Sequence, residues 1–327
     1  MYNTSTLLFT NVTPTSVVGK IIQFPLLRII IVILFLIPVS ILSYFIGPEL
    51  YQQLREPFYA LIRYGRDLGL LILFMIAYGL YTKFVERREA HELSLNKFYV
   101  ELGVGIILSL FMVGFMVLLL SILGYYKIVA FNPIKNLTDA LVVQMMVGFS
   151  EELLFRLVIF KLVEEFAGSW VALVVQGLIF GFAHIANPNA TLWTSIGLVL
   201  SCTLLFGGAY MLTRRLWLIM GMHWSWNFFQ AGVFGMANSG TARPGWITPA
   251  IDGPTWITGG SWGVEASYVT IVMQFLIGLY IFRKAVEGGQ LVRPVWVRRK
   301  MESVTKSEDS VASSLNPLSI DPKEMNS

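Results

Sequence analysis

The sequence predicts an all-α fold, a polytopic membrane helix bundle of about eight transmembrane helices. Hydrophobic residues make up 55% of the 327 residues and charged residues only 13%, whereas about a quarter of a soluble domain is charged. Several apolar stretches reach the roughly 20 residues with which a helix crosses the hydrocarbon of a bilayer. The composition therefore favours a protein built mostly of membrane spans, without room for a large soluble domain.

Eight apolar segments are candidate spans. The first follows a long polar leader and ends without a small-residue cleavage pattern, so it predicts a retained span and not a signal peptide. The fourth has low hydropathy because it carries charged residues, and the fifth is short. The predicted spans are Ile29 to Gly47, Leu68 to Phe84, Leu102 to Tyr126, Ala140 to Val163, Trp170 to Ile185, Leu192 to Leu212, Leu216 to Met236 and Ala266 to Phe282.

Basic residues near the ends of these segments predict the orientation in the membrane. With eight spans, three basic clusters share one side, and the positive-inside rule makes that side, with both termini, cytoplasmic. We therefore expect a multi-pass protein of the plasma or inner membrane. The net charge of +4 reflects this topology and indicates no nucleic-acid partner. The clusters are Lys83, Arg87, Arg88 and Lys97; Arg214 and Arg215; and Arg283, Lys284, Arg293, Arg298, Arg299 and Lys300.

The chain divides into a membrane domain and a tail. Residues 1–300 form the predicted membrane domain, and its chemically distinctive core lies at about residues 138–236. Residues 301–327 are polar and Ser-rich, which predicts a disordered cytoplasmic tail. The single cysteine, Cys202, lies in an apolar run and is interpreted as a packing residue.

The fourth span carries two acids and a base in the middle of an apolar helix, as Glu151, Glu152 and Arg156. Burying such charges costs several kcal/mol unless they are paired or face a wet cavity. Glu152 and Arg156 stand at i and i+4 and can form an ion pair, whereas Glu151 points about 100° away around the helix. One acid is then neutralised and its neighbour is free for proton transfer. In the alternative, both acids only balance Arg156.

Two histidines lie in the fifth and seventh spans. His184 follows Phe180 by one helical turn, and an imidazole there can act as a base or carry a proton. His223 and Asn227 stand at i and i+4, where both can donate hydrogen bonds to a developing oxyanion. Alternatively, these polar groups only make hydrogen bonds between helices. The third histidine, His91, lies in a charged loop and is interpreted as solvated.

This combination of motifs resembles the CPBP family, which includes type II CAAX prenyl proteases, bacteriocin-processing enzymes and Abi-like proteins. The family pattern has a Glu-Glu pair followed by Arg, a Phe one turn before a His, and a His one turn before an Asn. The resemblance covers about Val142 to Phe229. The matching residues are Glu151, Glu152 and Arg156; Phe180 and His184; and His223 and Asn227.

The resemblance implies an intramembrane endopeptidase that hydrolyses a peptide bond of a membrane-associated protein or peptide. In the implied mechanism Glu151 and His184 activate a water, and His223 and Asn227 stabilise the tetrahedral oxyanion. The expected partners are this substrate and the lipid bilayer. The implied catalytic residues are Glu151, Glu152, His184, His223 and Asn227, with Arg156 and Phe180 in support.

Metal dependence is open at this point. Glu151, His184 and His223 can make a zinc site with one open position, and members of the family are often labelled metalloproteases. The chain lacks the HExxH spacing of zincins, and Asn227 suits an oxyanion better than it suits zinc. We therefore expect no cofactor and a metal-independent glutamate mechanism, with zinc as the alternative.

Two other functions use similar residues. A proton-coupled membrane transporter also needs intramembrane Glu, His and Arg, but it usually shows paired repeats with broken helices, and this sequence shows no such repeats. A catalytically silent relative can act as a membrane scaffold or immunity protein. All the catalytic-type positions are intact here, which favours the protease.

Overall fold

A computed structural model of the protein describes residues 8–10, 12–47, 50, 52–55, 57–301 and 303–304, so the predicted tail lies almost wholly outside the described residues. The described chain is mainly α-helical and has two short strands. The helices are α1 (Val17–Ile22), α2 (Pro25–Phe45), α3 (Phe58–Tyr81), α4 (Phe98–Ile122), α5 (Ile134–Glu152), α6 (Lys161–Ala167), α7 (Ser169–Ala183), α8 (Leu192–Thr213), α9 (Leu216–Asn227), α10 (Thr255–Thr258) and α11 (Tyr268–Glu287), and the strands are β1 (Tyr126–Phe131) and β2 (Ile247–Ile251).

Six helical segments in the described part of the chain are long and apolar enough to cross a membrane, namely α2, α3 with its π-helical continuation to Glu86, α4, α7 with its 3₁₀ continuation to Ala186, α8 and α11. The protein is therefore a helical membrane bundle. The other two predicted spans coincide with α5 and α6, which a π-helical segment joins into one helix over residues 134–167, and with α9 and its π-helical continuation to Val233. Charged side chains lower the hydropathy of the first, and α9 itself has only 12 residues. The number of membrane crossings stays a prediction.

Local sequence signals explain where several helices begin. Pro25 opens α2, where its missing N–H removes no helical hydrogen bond. Thr191 and Thr194 form a capping box at the start of α8. Gly168 turns the chain between α6 and α7 with a φ of 84°, a conformation that glycine adopts without strain.

The two strands were not predicted from the sequence. The third predicted span ran to Tyr126, but α4 ends at Ile122, and Gly124 with a φ of 74° ends the helical path. Residues Tyr126 to Phe131 then pair antiparallel with β2, with Tyr126 opposite Ile251. Because the strand sequence YKIVAF is mostly apolar, hydropathy alone does not separate it from the preceding span.

Glycines allow α9 to approach two neighbouring helices closely. A Cβ added at Gly221 would lie 2.5 Å from the carbonyl oxygen of Leu102 in α4, and one added at Gly148 in α5 would lie 2.9 Å from the backbone nitrogen of Trp224. Only a residue without a side chain permits backbone contacts this short. The two contacts fix α9 between α4 and α5, and α9 is the helix that carries His223.

Buried charged side chains gather at one end of the bundle. Glu86 accepts from Arg28 at 2.9 Å and from Lys161 Nζ at 2.8 Å. Arg88 contacts both Glu86 and Glu92 at 2.6 Å. This ion-pair cluster contains three bases and three acids, and its members are Arg28, Glu86, Arg88, Glu92, Lys161 and Glu165.

The two ends of the bundle are built differently. At the cluster end α2 begins, and α3, α6, α8 and α11 end. At the opposite end, called here the sheet end, α2, α4 and α7 end and the two strands pair. The long connection between α9 and α11 also lies at the sheet end, because it contains β2.

Candidate active site

A cavity of about 160 Å³ lies among the helices and reaches the connection between α9 and α11. Glu152 and Arg156 lie outside its lining and are fully buried. The structure thus brings the predicted site residues together from three separate helical segments. The predicted residues that line the cavity are Glu151, Phe180, His184, His223 and Asn227.

Glu151 directs one carboxylate oxygen towards both histidines. Its Oε2 lies 3.9 Å from Nε2 of His184 and 3.7 Å from Nε2 of His223. This oxygen is buried and has no hydrogen-bond partner among the described residues, although the side chain as a whole is 26% exposed. Both distances exceed a direct hydrogen bond and suit one bridging group.

Acceptors hold the far nitrogens of the two rings. His184 Nδ1 lies 2.8 Å from the backbone oxygen of Phe180, and His223 Nδ1 lies 2.6 Å from Oε1 of Glu152. Because a carbonyl and a carboxylate only accept hydrogen bonds, each Nδ1 carries a proton. A neutral ring therefore presents its Nε2 lone pair to the cavity, and a protonated ring presents an N–H there.

Glu152 connects His223 to Arg156. Arg156 Nη1 donates to Glu152 Oε1 at 2.9 Å, so the ion pair expected from the i, i+4 spacing is present, and both side chains are fully buried. The helix changes from α to π directly after Glu152, over Leu153–Phe160, and such segments are frequent at functional sites. The two adjacent glutamates therefore differ, because Glu152 is buried and paired while Glu151 faces the cavity.

Phe180 packs against two of the site residues. Its ring centroid lies 4.8 Å from that of His184 and 4.7 Å from the guanidinium carbon of Arg156. The Arg156 guanidinium also lies 4.9 Å from the ring of Phe206. Two nitrogens of Arg156 have no hydrogen-bond partner among the described residues, and the ring faces offset part of that cost through cation–π contact. Phe180 thus supports the site through packing.

Sequence reasoning missed the second acid that lines the cavity, Glu265. This residue lines the cavity and is only 6% exposed. It accepts hydrogen bonds from Asn238 Nδ2 at 2.9 Å and from the backbone N–H of Ser239 at 2.7 Å. Burial raises the pKa of Glu265, which lies in the connection before α11, and the hydrogen bonds from Ser239 offset part of the rise. The available signal was an acid next to the start of an apolar span.

Comparison with known families matches one segment of the chain to a family model. Residues 133–229 match the model of the family described as Type II CAAX prenyl endopeptidase Rce1-like. This segment is therefore similar to the Rce1-like family. The match agrees with the family that the motifs predicted, and the segment contains all seven predicted site residues. Searches of curated proteins and of solved structures gave no match.

The Rce1-like match and the long apolar helices together indicate the general type of protein. The Rce1-like family is a family of CAAX-type proteases, and six helices of the described chain are suited to crossing a membrane. The chain is therefore an integral membrane protein, and its residues 133–229 are similar to CAAX-type proteases.

The three ligands of the zinc alternative converge in the Rce1-like segment. The facing atoms of Glu151, His184 and His223 are separated by 3.7 and 3.9 Å. Within the described residues, however, no group of three or more His, Cys, Asp or Glu side chains has the arrangement of a metal site. Zinc at these residues stays the alternative to a reaction carried by the side chains alone.

A second cavity, of about 250 Å³, adjoins the first. Its wall includes the ion pair between Arg63 and Asp139, which is 2.8 Å long and partly exposed. The two cavities lie side by side, and the second reaches residues at the start of α5, at the sheet end of the bundle. They share the lining residues Val143, Gln144, Ala231 and Arg243.

Proposed function

We propose that the protein is an intramembrane endopeptidase that hydrolyses a peptide bond of a membrane-associated protein or peptide with a glutamate-activated water. The position of Glu151 Oε2 carries the proposal. This oxygen is buried, lacks a hydrogen-bond partner among the described residues, and lies less than 4 Å from two Nε2 atoms. An acid that only balanced Arg156 would be paired with it, as Glu152 is. The family match supports the same class of reaction.

The proposed nucleophile is a water between Glu151 and His184. It donates one hydrogen bond to Glu151 Oε2 and one to His184 Nε2, because the Phe180 carbonyl holds the proton on the other ring nitrogen. With both hydrogens engaged, the water directs a lone pair at the carbonyl carbon of the substrate. Glu151 takes one proton as the new C–O bond forms, which is general-base catalysis.

His223 and Asn227 are the proposed oxyanion donors. A protonated His223 donates from Nε2, while Glu152 accepts from its Nδ1 at 2.6 Å. Asn227 lines the same cavity one turn further along α9, and its Nδ2 supplies the second hydrogen bond. The C–N bond then breaks, and the leaving amine takes the proton that Glu151 holds.

The test compares Glu151→Gln with Glu152→Gln in the same detergent. Cleavage of membrane-tethered peptides, with and without a prenyl group, is measured by mass spectrometry together with purified yield and melting temperature. We expect Glu151→Gln to lower cleavage ~100-fold or more with little change in melting temperature, because a base is lost but little volume. Glu152→Gln should lower both cleavage and melting temperature, because it leaves Arg156 as a buried charge without its acid.

The matched control is Glu287→Gln, which removes an exposed acid far from the cavity and should behave as the wild type. Near wild-type cleavage by Glu151→Gln would contradict the proposed roles. If the wild type cleaves no peptide in this assay, the transporter and scaffold alternatives gain support.

Treatment with a metal chelator distinguishes the metal-independent mechanism from the zinc alternative. We expect the wild-type cleavage rate to stay unchanged after treatment with a strong chelator, because the proposed steps use only side chains and water. A loss of cleavage that added zinc restores would favour the zinc alternative at Glu151, His184 and His223.

A further inference from the structure

We propose that Glu265 and Asn238 form a hydrogen-bond relay that orients the side-chain amide of Asn227, so that its NH₂ group and not its oxygen faces the reacting carbonyl. The inference rests on the proposed function of the cavity. It adds two positioning residues, which lie in the connection between α9 and α11. The family match ends at residue 229, before this connection.

An asparagine in an oxyanion site is useful in only one orientation. Its Nδ2 donates to the developing negative charge, whereas its Oδ1 would repel that charge. Rotation of the amide by 180° exchanges the oxygen and nitrogen in nearly the same volume, so packing alone does not distinguish the two states. The hydrogen bonds of neighbouring residues must therefore select the orientation of Asn227.

The hydrogen bonds around Asn238 make this selection. Asn238 Nδ2 donates to Asn227 Oδ1 at 3.0 Å and to Glu265 Oε1 at 2.9 Å. Because a carboxylate only accepts, Glu265 requires Asn238 to present its NH₂ group. The NH₂ group of Asn238 can only donate, so the Oδ1 of Asn227 must accept its hydrogen bond. Its own Nδ2 is then left for the cavity.

Glu265 is held in this accepting role from several sides. The Ser239 backbone N–H and Oγ lie 2.7 and 3.0 Å from Oε2, and Trp226 Nε1 donates to Oε1 at 3.1 Å. No basic side chain among the described residues forms an ion pair with this nearly buried acid. A buried acid without a cation contributes poorly to stability, so its placement is better explained by the polarity that it imposes on the two asparagines.

Replacing Glu265 by Gln allows the relay to run in reverse. The two donors of Ser239 hold the Gln oxygen at the position of Oε2, so its NH₂ group faces Asn238. The oxygen of Asn238 can then accept from Gln and from Asn227 Nδ2, which turns the Asn227 oxygen towards the cavity. Apart from the bond from Trp226, all hydrogen bonds of the relay are retained. The substitution therefore reverses the direction of the hydrogen bonds between these three side chains without creating a cavity.

A double-mutant cycle tests the relay. Values of kcat and KM are measured for the wild type, Glu265→Gln, Asn227→Ala and the double variant, with melting temperatures for all four. Removal of one oxyanion donor typically lowers kcat ~100-fold or more, so we expect Glu265→Gln to lower kcat ~10- to 100-fold with little change in KM. In the Asn227→Ala background the same substitution should change kcat less than about twofold, because residues that act through one another are not additive.

Three results would overturn the inference or separate it from the proposed function. An equal loss of kcat in both backgrounds, or wild-type kcat in Glu265→Gln, would overturn the relay. If Glu265→Gln does not fold, Asn238→Ala interrupts the same relay and is analysed by the same cycle with Asn227→Ala. Ser261→Ala, an exposed change in the same connection, is the control. Failure of the proposed function has a different signature, which is wild-type cleavage by Glu151→Gln.

Discussion

The acids of the ion-pair cluster and the acid Glu151 of the cavity are paired in opposite ways. In the ion-pair cluster, Glu86 accepts hydrogen bonds from Arg28, Lys161 and Tyr81 at 2.8 to 2.9 Å. In the cavity, Glu151 Oε2 has no hydrogen-bond partner among the described residues. Burial of an acid in a membrane bundle is therefore not enough to indicate chemistry. The difference in pairing is what separates an acid that stabilises the fold from one available to a substrate.

The same helix carries both kinds of residue. Residues 134–167 form a continuous helical segment, with Glu151 at the cavity and Lys161 in the ion-pair cluster. The cluster also ties this segment to α2 through the contact between Arg28 and Glu165. The ion-pair cluster therefore contributes to the stability of the same helix that presents Glu151 to the cavity.

The largest expected effect on stability comes from Glu86→Gln, which removes one negative charge from the ion-pair cluster. This change leaves three bases with two acids in a buried region, and breaking a buried pair typically costs ~3–5 kcal/mol. We expect a marked fall in purified yield and melting temperature, with a near wild-type cleavage rate for the molecules that fold. Glu151→Gln should show the reverse pattern under the same assays. A Glu86→Gln protein as stable as the wild type would remove the proposed distinction between the two ends.

A smaller effect is expected from pH. Burial alone would raise the pKa of Glu92, but Arg88 and Lys161 lower it to about 2. Because this value is below that of the unfolded chain, the ionised carboxylate stabilises the fold above pH ~4.5, and this contribution is lost as pH falls towards 2. The difference in melting temperature between wild type and Glu92→Gln should therefore narrow between about pH 6 and pH 3. A constant difference over that range would show that the charge of Glu92 does not stabilise the fold.

Cysteine labelling, which should perturb the protein least, tests which end of the bundle faces which side of the membrane. Ala242→Cys lies in the connection at the sheet end and Ser303→Cys lies beyond α11, which ends at the cluster end, and both positions are exposed. The native Cys202 is buried. We expect an impermeant maleimide to label Ala242→Cys in intact cells and Ser303→Cys only after lysis. Labelling of both from the same side would reject the eight-span count.

Signals that act within one helix were readable from the sequence. Hydropathy gave the long helices, and helical spacing gave the contact between Glu152 and Arg156, which the structure contains. Contacts between distant segments gave no such signal. Arg88 and Arg214 entered the orientation argument as basic residues near span ends, yet each is paired with a buried acid, Arg214 with Glu164 at 2.5 Å. The charge count near a span end does not show whether a basic residue there pairs with a buried acid from another part of the chain.

Glu265 was missed for the same reason. Its partners Asn238 and Ser239 lie 27 and 26 residues earlier in the chain, and no periodicity relates residues across an irregular connection. The pairing of β1 with β2 joins Tyr126 to Ile251 and is equally invisible to a local pattern. Sequence reasoning therefore recovered the helical part of the site better than the part contributed by the connection between α9 and α11.

The second cavity lies at the sheet end and adjoins the cavity that contains Glu151, so the labelling result also bears on which compartment supplies the substrate. If Ala242→Cys reacts from outside the cell, the scissile bond is reached by polypeptides that have already been exported or that rest in the outer leaflet. A prenylated protein in the cytoplasm would then have to pass its C-terminus across the bilayer before it could be cut. Export of the precursor, a step performed by other machinery, would control when this protein can act.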